Sequence, residues 1–342
     1  MVKTAAMKGR GFLFEQVCTY DNLLNGSLRA MKGKKDKERV ARFYFNLEFE
    51  LLRIQDELLS GSYQPGPYHC FYVYEPKKRY ICSVDFRDRV VHHALCNVLE
   101  SFFEKWFIFD SYACRLNKGT HKAIRRVQTW ARKSPYFLKV DVRKFFESVD
   151  HAVLKRLLSK KFKDPRLMSL MERIIDQPVP GYRGGKGLAI GNLTSQWWAN
   201  YYLNLLDHYL KDERGIKYYV RYMDDLVIMA QDKAELHEVK AEMGEFIARE
   251  LKLELKEKGS YMAPVSQGIP FLGFRIFPGL IRLKHASVVR FIRKFRHNER
   301  LYRQGQIDER ALIRSGASLI GHLEHGNTYR LRQKIFYGGE GR

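Results

Sequence analysis

One segment of the chain has the sequence Tyr218-Tyr-Val-Arg-Tyr-Met-Asp-Asp-Leu-Val-Ile-Met229, in which Asp224 and Asp225 separate two short runs of aromatic, β-branched and other apolar residues. Runs of this kind predict strands, and the polar break between them predicts a hairpin. Adjacent carboxylates at a tight turn repel each other unless a cation lies between them or water screens them. The segment therefore predicts a metal-binding hairpin, and an exposed acidic turn is the alternative.

The chain carries a large excess of positive charge. Its 342 residues include 61 Lys and Arg against 38 Asp and Glu, a formal net charge of +23, while 45% hydrophobic residues indicate a globular protein with a sizeable core. Residues 281–342 alone hold 14 basic and 5 acidic side chains. Such an excess indicates a polyanionic partner, because the charges repel one another in a compact fold. Nucleic acid is the first candidate and an anionic membrane surface the weaker one.

Targeting signals and cysteine spacing indicate the compartment. The sequence has no apolar run long enough to cross a bilayer and no signal peptide, so we expect a cytoplasmic protein without a membrane partner. The five cysteines are odd in number and form no Cys-x-x-Cys pair, which predicts reduced, mostly buried thiols rather than disulfides or a zinc ribbon. They are Cys18, Cys70, Cys82, Cys96 and Cys114.

Apolar periodicity and capping residues predict a mixture of helices and strands. We expect helices over 40–58, 87–103, from Asp150 to 161, over 195–211, from Asp232 onwards and beyond 286, and strands over 71–74, 80–84, 136–142 and 271–276. Asp232 and Glu235 have the spacing of a capping box. The charge run over 31–37 predicts an exposed linker, with RNA contact as the alternative.

A third carboxylate follows one of these strands. Asp141 ends the strand predicted over 136–142, and if that strand lies beside the Asp224 hairpin, three carboxylates converge at one edge of a sheet. Such a set can hold two divalent cations, which lower the pKa of an attacking hydroxyl and stabilise the leaving oxygens of a phosphoryl displacement. Mg²⁺ fits a site of a few carboxylates, substrate phosphates and water. A helix-capping or salt-bridged acid is the alternative role for Asp141.

At this point the chain resembles the reverse transcriptases from about Tyr72 to Phe336. Phe137-Leu-Lys-Val-Asp-Val-Arg-Lys-Phe-Phe-Glu-Ser-Val-Asp-His151 is similar to their first catalytic motif, and Tyr222-Met-Asp-Asp225 is similar to their Tyr-x-Asp-Asp signature. The resemblance implies an α+β right-hand polymerase with an antiparallel palm sheet. It places a basic N-terminal segment and helix at 1–62, fingers at 63–135 and 151–195, palm at 136–150 and 196–277, and a basic helical thumb at 278–342.

The same resemblance implies roles for individual residues. Asp141, Asp224, Asp225 and the Val142 carbonyl would hold two Mg²⁺ ions, for which Mn²⁺ can substitute. Nucleotide-binding roles fall on Lys77 and Arg79 for the triphosphate, Phe146 beneath the sugar, Ile190 beside the nascent base pair, and Lys258 as an acid towards the pyrophosphate. Arg115, Lys118 and Gln196 would contact the template. For any one of these cations a solvated surface role is the alternative, and for Phe146 and Ile190 it is packing.

One motif indicates which group of reverse transcriptases the chain resembles. In Gly187-Leu-Ala-Ile-Gly-Asn-Leu-Thr-Ser-Gln196, Ile190 and Gln196 replace the glutamine and proline that most relatives carry, which resembles the reverse transcriptases of diversity-generating retroelements. That resemblance implies error-prone copying of a structured template RNA into cDNA from dNTPs, with errors at template adenines. It also implies an RNA/cDNA duplex and a small basic accessory protein, or other subunits, as partners. An aliphatic Ile190 cannot hydrogen-bond the nascent pair as an amide can.

Two other interpretations stay open. Defence-associated reverse transcriptases, including abortive-infection types, also depart from that motif and copy a dedicated noncoding RNA. From a different class, the chain could be an RNA-binding scaffold whose polymerase centre is silent. The presence of Asp141, Asp224 and Asp225 favours the enzyme.

Overall fold

The computed structural model describes residues 12–75 and 77–336, so the predicted N-terminal segment up to residue 11, Pro76 and the predicted thumb beyond 336 lie outside it. No helix within these ranges is long and apolar enough to cross a bilayer. The helices are α1 (Leu13–Cys18), α2 (Tyr20–Met31), α3 (Glu38–Phe45), α4 (Leu47–Leu59), α5 (Phe86–Trp106), α6 (Thr120–Ala131), α7 (Phe145–Ser148), α8 (His151–Ser159), α9 (Pro165–Ile175), α10 (Leu193–His208), α11 (Lys233–Leu251), α12 (His285–Arg303), α13 (Glu309–Leu323) and α14 (Tyr329–Phe336). The strands are β1 (His69–Val73), β2 (Arg79–Ser83), β3 (Tyr136–Asp141), β4 (Tyr219–Tyr222), β5 (Asp225–Ala230), β6 (Tyr261–Pro264), β7 (Ile269–Phe271), β8 (Phe274–Ile276) and β9 (Ile281–Leu283).

The chain divides into two compact units. The first comprises residues up to Ile108, Arg143–Tyr209 and Glu245–Glu254, and the second comprises Phe109–Val142, Leu210–Gly244 and the residues from Leu255 onwards. Helices α1–α5 and α7–α10 and the β1–β2 hairpin belong to the first unit. The second unit contains α6, α12–α14 and two antiparallel sheets.

In the second unit, a four-stranded sheet with strand order β4-β5-β3-β6 is antiparallel throughout. Phe137 lies opposite Met229, and Lys139 lies opposite Val227, so these side chains share one face of the sheet. Their apolar members pack with the α6 residues Ile124 and Val127 in a single core. The three-stranded sheet β7-β8-β9 contributes to the same core, which therefore anchors β3 and β5 against movement.

In the first unit, the long helix α5 is the centre of the packing. Ten of its residues are buried, among them Val90, Val91 and Ala94. Helix α2 crosses it at Gly26, where a Cβ atom would lie 2.9 Å from the Val90 carbonyl oxygen. Only glycine allows this approach, because a larger residue would force the two backbones apart.

Two predicted elements are wrong in detail. The helix predicted over 40–58 is two helices, α3 and α4, separated at Asn46, whose φ of −115° and ψ of 33° are not helical. The strand predicted over 271–276 is the hairpin of β7 and β8, which turns at Leu272 and Gly273 with φ values of 45° and 86°. A leucine rarely adopts positive φ, so the turn was hidden within an apolar run.

The cysteine prediction is also wrong for one pair. Cys70 and Cys82 occupy directly opposed positions of β1 and β2 and form a disulfide, while Cys18, Cys96 and Cys114 are free. The register of the hairpin brings the two sulfurs together across 12 residues of sequence. Spacing alone could not reveal this pairing, since it depends on which residues form the turn.

Candidate active site

The candidate site lies in the second unit, where β3 ends and β5 begins. Asp141 and Asp225 are directly opposed residues of these two strands. Asp224 precedes Asp225 in the tight turn between β4 and β5, which begins at Met223 with a φ of 56°. Cβ atoms of directly opposed residues lie about 4.5–5.5 Å apart, so the carboxylates of Asp141 and Asp225 can reach one cation. The structure thus brings together the acidic groups of two distant segments.

Two lysines lie against these carboxylates. The Lys139 ammonium is 2.6 Å from Asp225 Oδ1, and the Lys256 ammonium is 3.5 Å from Asp141 Oδ2. Burial raises the pKa of Asp225, the Lys139 charge opposes that rise, and the Asp141 charge adds to it. The site therefore concentrates negative charge that needs compensating cations. Neither lysine was among the site residues inferred from sequence.

The carboxylates of Asp141, Asp224 and Asp225 are chemically suited to a divalent metal ion. Within residues 12–75 and 77–336, no group of three His, Cys, Asp or Glu side chains is arranged to hold a metal ion. Asp225 Oδ1 is buried, and the Lys139 ammonium at 2.6 Å is the positive charge that lies against it. Carboxylate oxygens are the ligands Mg²⁺ prefers, so Asp141, Asp224 and Asp225 fit such an ion chemically. Val142 follows as a bridge partner of Leu255.

A buried arginine fixes the turn that carries Asp224. Arg221 of β4 has no exposed surface, and its Nη1 donates to the Met223 carbonyl oxygen at 3.1 Å. Its backbone N–H donates to the carbonyl of Asp110, whose buried carboxylate is ion-paired with Arg126 at 2.8 Å and Lys211 at 3.3 Å. Left-handed backbone at Met223 is costly for a residue with a side chain, so this contact holds a strained turn. Arg221 was not among the site residues inferred from sequence, and the feature that could have indicated it is a charged residue inside an apolar strand.

The predicted template contacts of the second unit lie in the loop before α6. Arg115 Nη1 donates to the Ser111 carbonyl at 3.0 Å. Lys118 Nζ donates to the Phe109 carbonyl at 2.6 Å and lies 3.4 Å from the centre of the Phe109 ring. Both cations therefore brace their own loop, which is joined to β4 by a bridge between Ser111 and Arg221.

Lys258 lies on an exposed turn, and the structure records no contact between it and Asp141. The neighbouring Lys256 is the residue that contacts Asp141, through its ammonium and through a backbone N–H that donates to the Asp141 carbonyl at 2.8 Å. The role inferred for Lys258 stays a prediction, and the structure adds Lys256 of the same segment as a contact of Asp141.

The remaining predicted residues lie in the first unit. Lys77 and Arg79 are exposed on the β1–β2 hairpin. The loop that carries Ile190 contacts this hairpin, because the Cys82 N–H donates to the Ile190 carbonyl at 2.9 Å. The same loop runs along the segment of Phe146, whose carbonyl accepts from the Leu188 N–H at 2.7 Å. Hairpin, loop and Phe146 thus form one cluster, and Gln196 is half-buried on α10.

Backbone contact at the Ile190 loop is close enough to require glycine. A Cβ atom at Gly191, whose φ is 135°, would lie 2.9 Å from the Cys82 carbonyl oxygen. The loop is therefore held against β2 by its backbone, at Gly191 and at the neighbouring Ile190 carbonyl.

Comparison with solved structures identifies the class of fold. The chain is similar to the structure of apo telomerase from Candida tropicalis, with a TM-score of 0.50 and 10% sequence identity over 67% of this chain and 48% of that chain. The mixed fold with its antiparallel sheets is that of a right-hand polymerase, as the sequence predicted.

Sequence comparison identifies the family. The family model for reverse transcriptase (RNA-dependent DNA polymerase) matches residues 75–276, and the chain belongs to this family. It is 27% identical to Protein YkfC of Escherichia coli over 71% of this chain and 75% of that protein. It is 23% identical to the group II intron-encoded protein LtrA of Lactococcus lactis over 75% of this chain and 54% of that protein. The chain thus spans about half the length of LtrA and of the telomerase chain. Reverse transcriptases use divalent metal ions.

Proposed function

We propose that this chain copies an RNA template into DNA by nucleotidyl transfer at Asp141, Asp224 and Asp225. The observation that carries the proposal is the register of β3 and β5, which makes Asp141 and Asp225 direct neighbours across the sheet. In each cycle the 3′-hydroxyl oxygen of the primer forms a bond to the α-phosphorus of a deoxynucleoside triphosphate. The bond from that phosphorus to the β-phosphate breaks, and pyrophosphate leaves.

The protein's own groups would organise this step. Divalent ions, Mg²⁺ with Mn²⁺ as a substitute, would supply the charge that lowers the pKa of the attacking hydroxyl. Lys139 and Lys256 hold the carboxylates of Asp225 and Asp141, and Arg221 holds the turn of Asp224. These contacts keep the acidic groups in one place between catalytic cycles, which favours reaction by reducing reorganisation.

The residues to which we assign substrate binding lie in both units. In the first unit, we assign the triphosphate to Lys77 and Arg79, the sugar to Phe146 and the nascent base pair to Ile190. The contact between the Ile190 loop and β2 supports this assignment, because it joins the loop to the basic hairpin. Lys258 would protonate the pyrophosphate, while Arg115, Lys118 and Gln196 would bind the template.

The domain assignment is part of the proposal. Fingers would comprise 63–135 and 151–195, palm 136–150 and 196–277, and thumb 278–342, with a basic segment and helix at 1–62. The four-stranded sheet of the second unit supports a palm, and the three consecutive helices α12–α14 support a helical thumb.

The finer proposal is a polymerase of the diversity-generating retroelement type, working in the cytoplasm on a structured template RNA. Expected partners are that RNA, the RNA/cDNA duplex, dNTPs and a small basic accessory protein. Ile190 in place of a glutamine supports error-prone copying, because its side chain offers no hydrogen bond to the nascent pair. Ile190→Gln should lower the error rate opposite template adenines in sequenced cDNA. An unchanged error spectrum would contradict the role of Ile190.

The central test separates an enzyme from a silent RNA-binding scaffold. Asp224→Asn should abolish DNA synthesis on an annealed primer and RNA template while RNA affinity is retained. Asp232→Asn is the matched control, since Asp232 caps α11 by accepting from the Glu235 N–H at 2.8 Å and asparagine caps equally well. Full synthesis by the Asp224 variant would reject the proposed site. Absence of synthesis by the unmodified chain with Mg²⁺ and Mn²⁺ would favour the scaffold.

Sequencing the cDNA made from co-purified RNA tests the subtype. Adenine-specific substitutions relative to the template would support diversification. Faithful copies of a single noncoding RNA would instead support the defence-associated type.

A further inference from the structure

A second basic surface of the first unit lies outside the candidate active site. Two adjoining cavities, of about 300 Å³ and 390 Å³, share the lining residues Trp106, Lys160 and Lys161. Trp106 ends α5, and the two lysines follow at the end of α8. None of the residues assigned above to catalysis, nucleotide or template lines either cavity. We call this surface the Trp106 cleft.

The tryptophan is held rigidly. Its backbone carbonyl accepts from Asn204 at 3.1 Å and contacts His208 Nε2 at 2.9 Å, both on α10. Its ring packs against Phe162, with ring centres 5.3 Å apart, and against Tyr201 at 5.8 Å. The side chain is still only half-buried, so part of a fixed aromatic surface faces the cavities.

Positive charge surrounds this aromatic surface. Lys160 and Lys161 are exposed, Lys105 lines one cavity and Lys163 lines the other. Lys161 lies 5.4 Å from the centre of the Trp106 ring. Among the described residues that line the cleft, Asp164 is the single carboxylate, and it is engaged in capping α9 by accepting from the Arg166 and Leu167 N–H groups. Four lysines therefore line the cleft against one carboxylate.

We propose that the Trp106 cleft binds an unpaired segment of RNA, with a base against Trp106 and the adjoining phosphates at Lys160, Lys161 and Lys105. Aromatic surfaces that accept bases beside lysines that accept phosphates are the combination by which proteins hold single strands. A helix-dipole role could explain Lys160 and Lys161 at the end of α8 and Lys105 in the last turn of α5, but it does not explain why the exposed part of Trp106 lies among them. The proposal adds to the proposed polymerase an anchor for RNA that is not being copied.

The first test measures RNA affinity with a matched charge control. The full chain and the variant Lys160→Glu/Lys161→Glu are titrated with a labelled, unstructured 12-nucleotide RNA at several salt concentrations. The control is Lys233→Glu/Lys240→Glu on α11, where Glu235 and Glu238 make phosphate binding unfavourable. We expect about a tenfold loss of affinity for the cleft variant and a salt slope smaller by about 1.4, the value for two lost phosphate contacts to a single strand. An equal loss in the control, or none in the cleft variant, overturns the proposal.

Polymerase activity separates this proposal from the proposed function. On a short annealed primer and template at saturating concentration, the cleft variant should retain its kcat, because the altered lysines contact no candidate catalytic residue. Failure of the unmodified chain to synthesise DNA would reject the proposed function and leave the affinity test intact.

A second measurement does not depend on a variant. Short RNA containing 4-thiouridine, cross-linked to the unmodified chain, should label peptides that include Trp106 or Lys160–Lys163. Cross-links confined to other peptides would overturn the proposal. The proposal would also be overturned if an acidic peptide displaced a dye bound at the cleft and RNA did not displace it.

Discussion

Removing Lys139 should expose the repulsion between the carboxylates of Asp141 and Asp225. The Lys139 ammonium lies 2.6 Å from Asp225 Oδ1. The side chains of Lys139 and Asp225 are 16% and 26% exposed. Exposed ion pairs contribute about 0.2–1 kcal/mol, whereas breaking a buried pair costs about 3–5 kcal/mol. The intermediate exposure of this pair places the cost of Lys139→Met near 2 kcal/mol of unfolding free energy.

A double-mutant cycle isolates that energy. The unmodified chain, Lys139→Met, Asp225→Asn and the double variant are unfolded without divalent cations, and the coupling between the two positions should be about 2 kcal/mol. Lys155→Met is the matched control, because Lys155 pairs with Asp176 at a similar distance of 2.8 Å but the two side chains are 29% and 48% exposed. The control should lose no more than about 1 kcal/mol.

Divalent cations should reverse part of the loss. Mg²⁺ can supply the positive charge that Lys139 no longer provides, so the ion should stabilise Lys139→Met more than it stabilises the unmodified chain. The measurement is the shift of the unfolding midpoint with and without millimolar MgCl₂. A coupling below about 0.5 kcal/mol, together with equal Mg²⁺ shifts, would refute the electrostatic account of this site.

Three further outcomes are expected. Arg221→Lys should lower kcat by at least tenfold without changing RNA affinity, because a lysine cannot replace the guanidinium that holds Met223; equal loss of kcat and of folded structure by circular dichroism would contradict a positioning role. Burial alone would raise the pKa of Asp150, but the Val153 N–H and the Lys252 ammonium outweigh it and hold that pKa below its usual range. The stability this gives is present above about pH 4 and is lost as pH falls through the lowered pKa, so Asp150→Asn should flatten the acid side of a plot of urea midpoint against pH. Reduction of the Cys70–Cys82 disulfide, which spans 12 residues, should cost about 3 kcal/mol in the chain-entropy account, as measured by urea unfolding with and without reductant.

Many of the helices and strands could be predicted from short, local patterns in the sequence. The hairpin of β4 and β5 could be predicted because alternating residues and a polar break lie within one short segment. The caps of α8 and α11 could be predicted because an N-cap acts on the next three residues, and both Asp150 and Asp232 accept the expected N–H bonds. These signals need no knowledge of distant residues.

The missed features depend on distant contacts. Lys139 and Lys256 are ordinary lysines in the sequence, and only the pairing of β3 with its neighbours places them against Asp225 and Asp141. The Cys70–Cys82 bond depends in the same way on hairpin register. The break at Asn46 and the turn at Leu272 were missed because apolar periodicity continues through both positions.

The antiparallel register of β3 and β5 also limits how this polymerase can change during evolution. Successive side chains of a strand point to opposite faces, so one residue inserted or deleted between Phe137 and Asp141 would turn the aspartate away from Asp225 or bury a charge among apolar neighbours. Substitutions along β3 can be absorbed by repacking, but a change in its length cannot. Natural variants should therefore differ in the composition of this strand and keep its residue count.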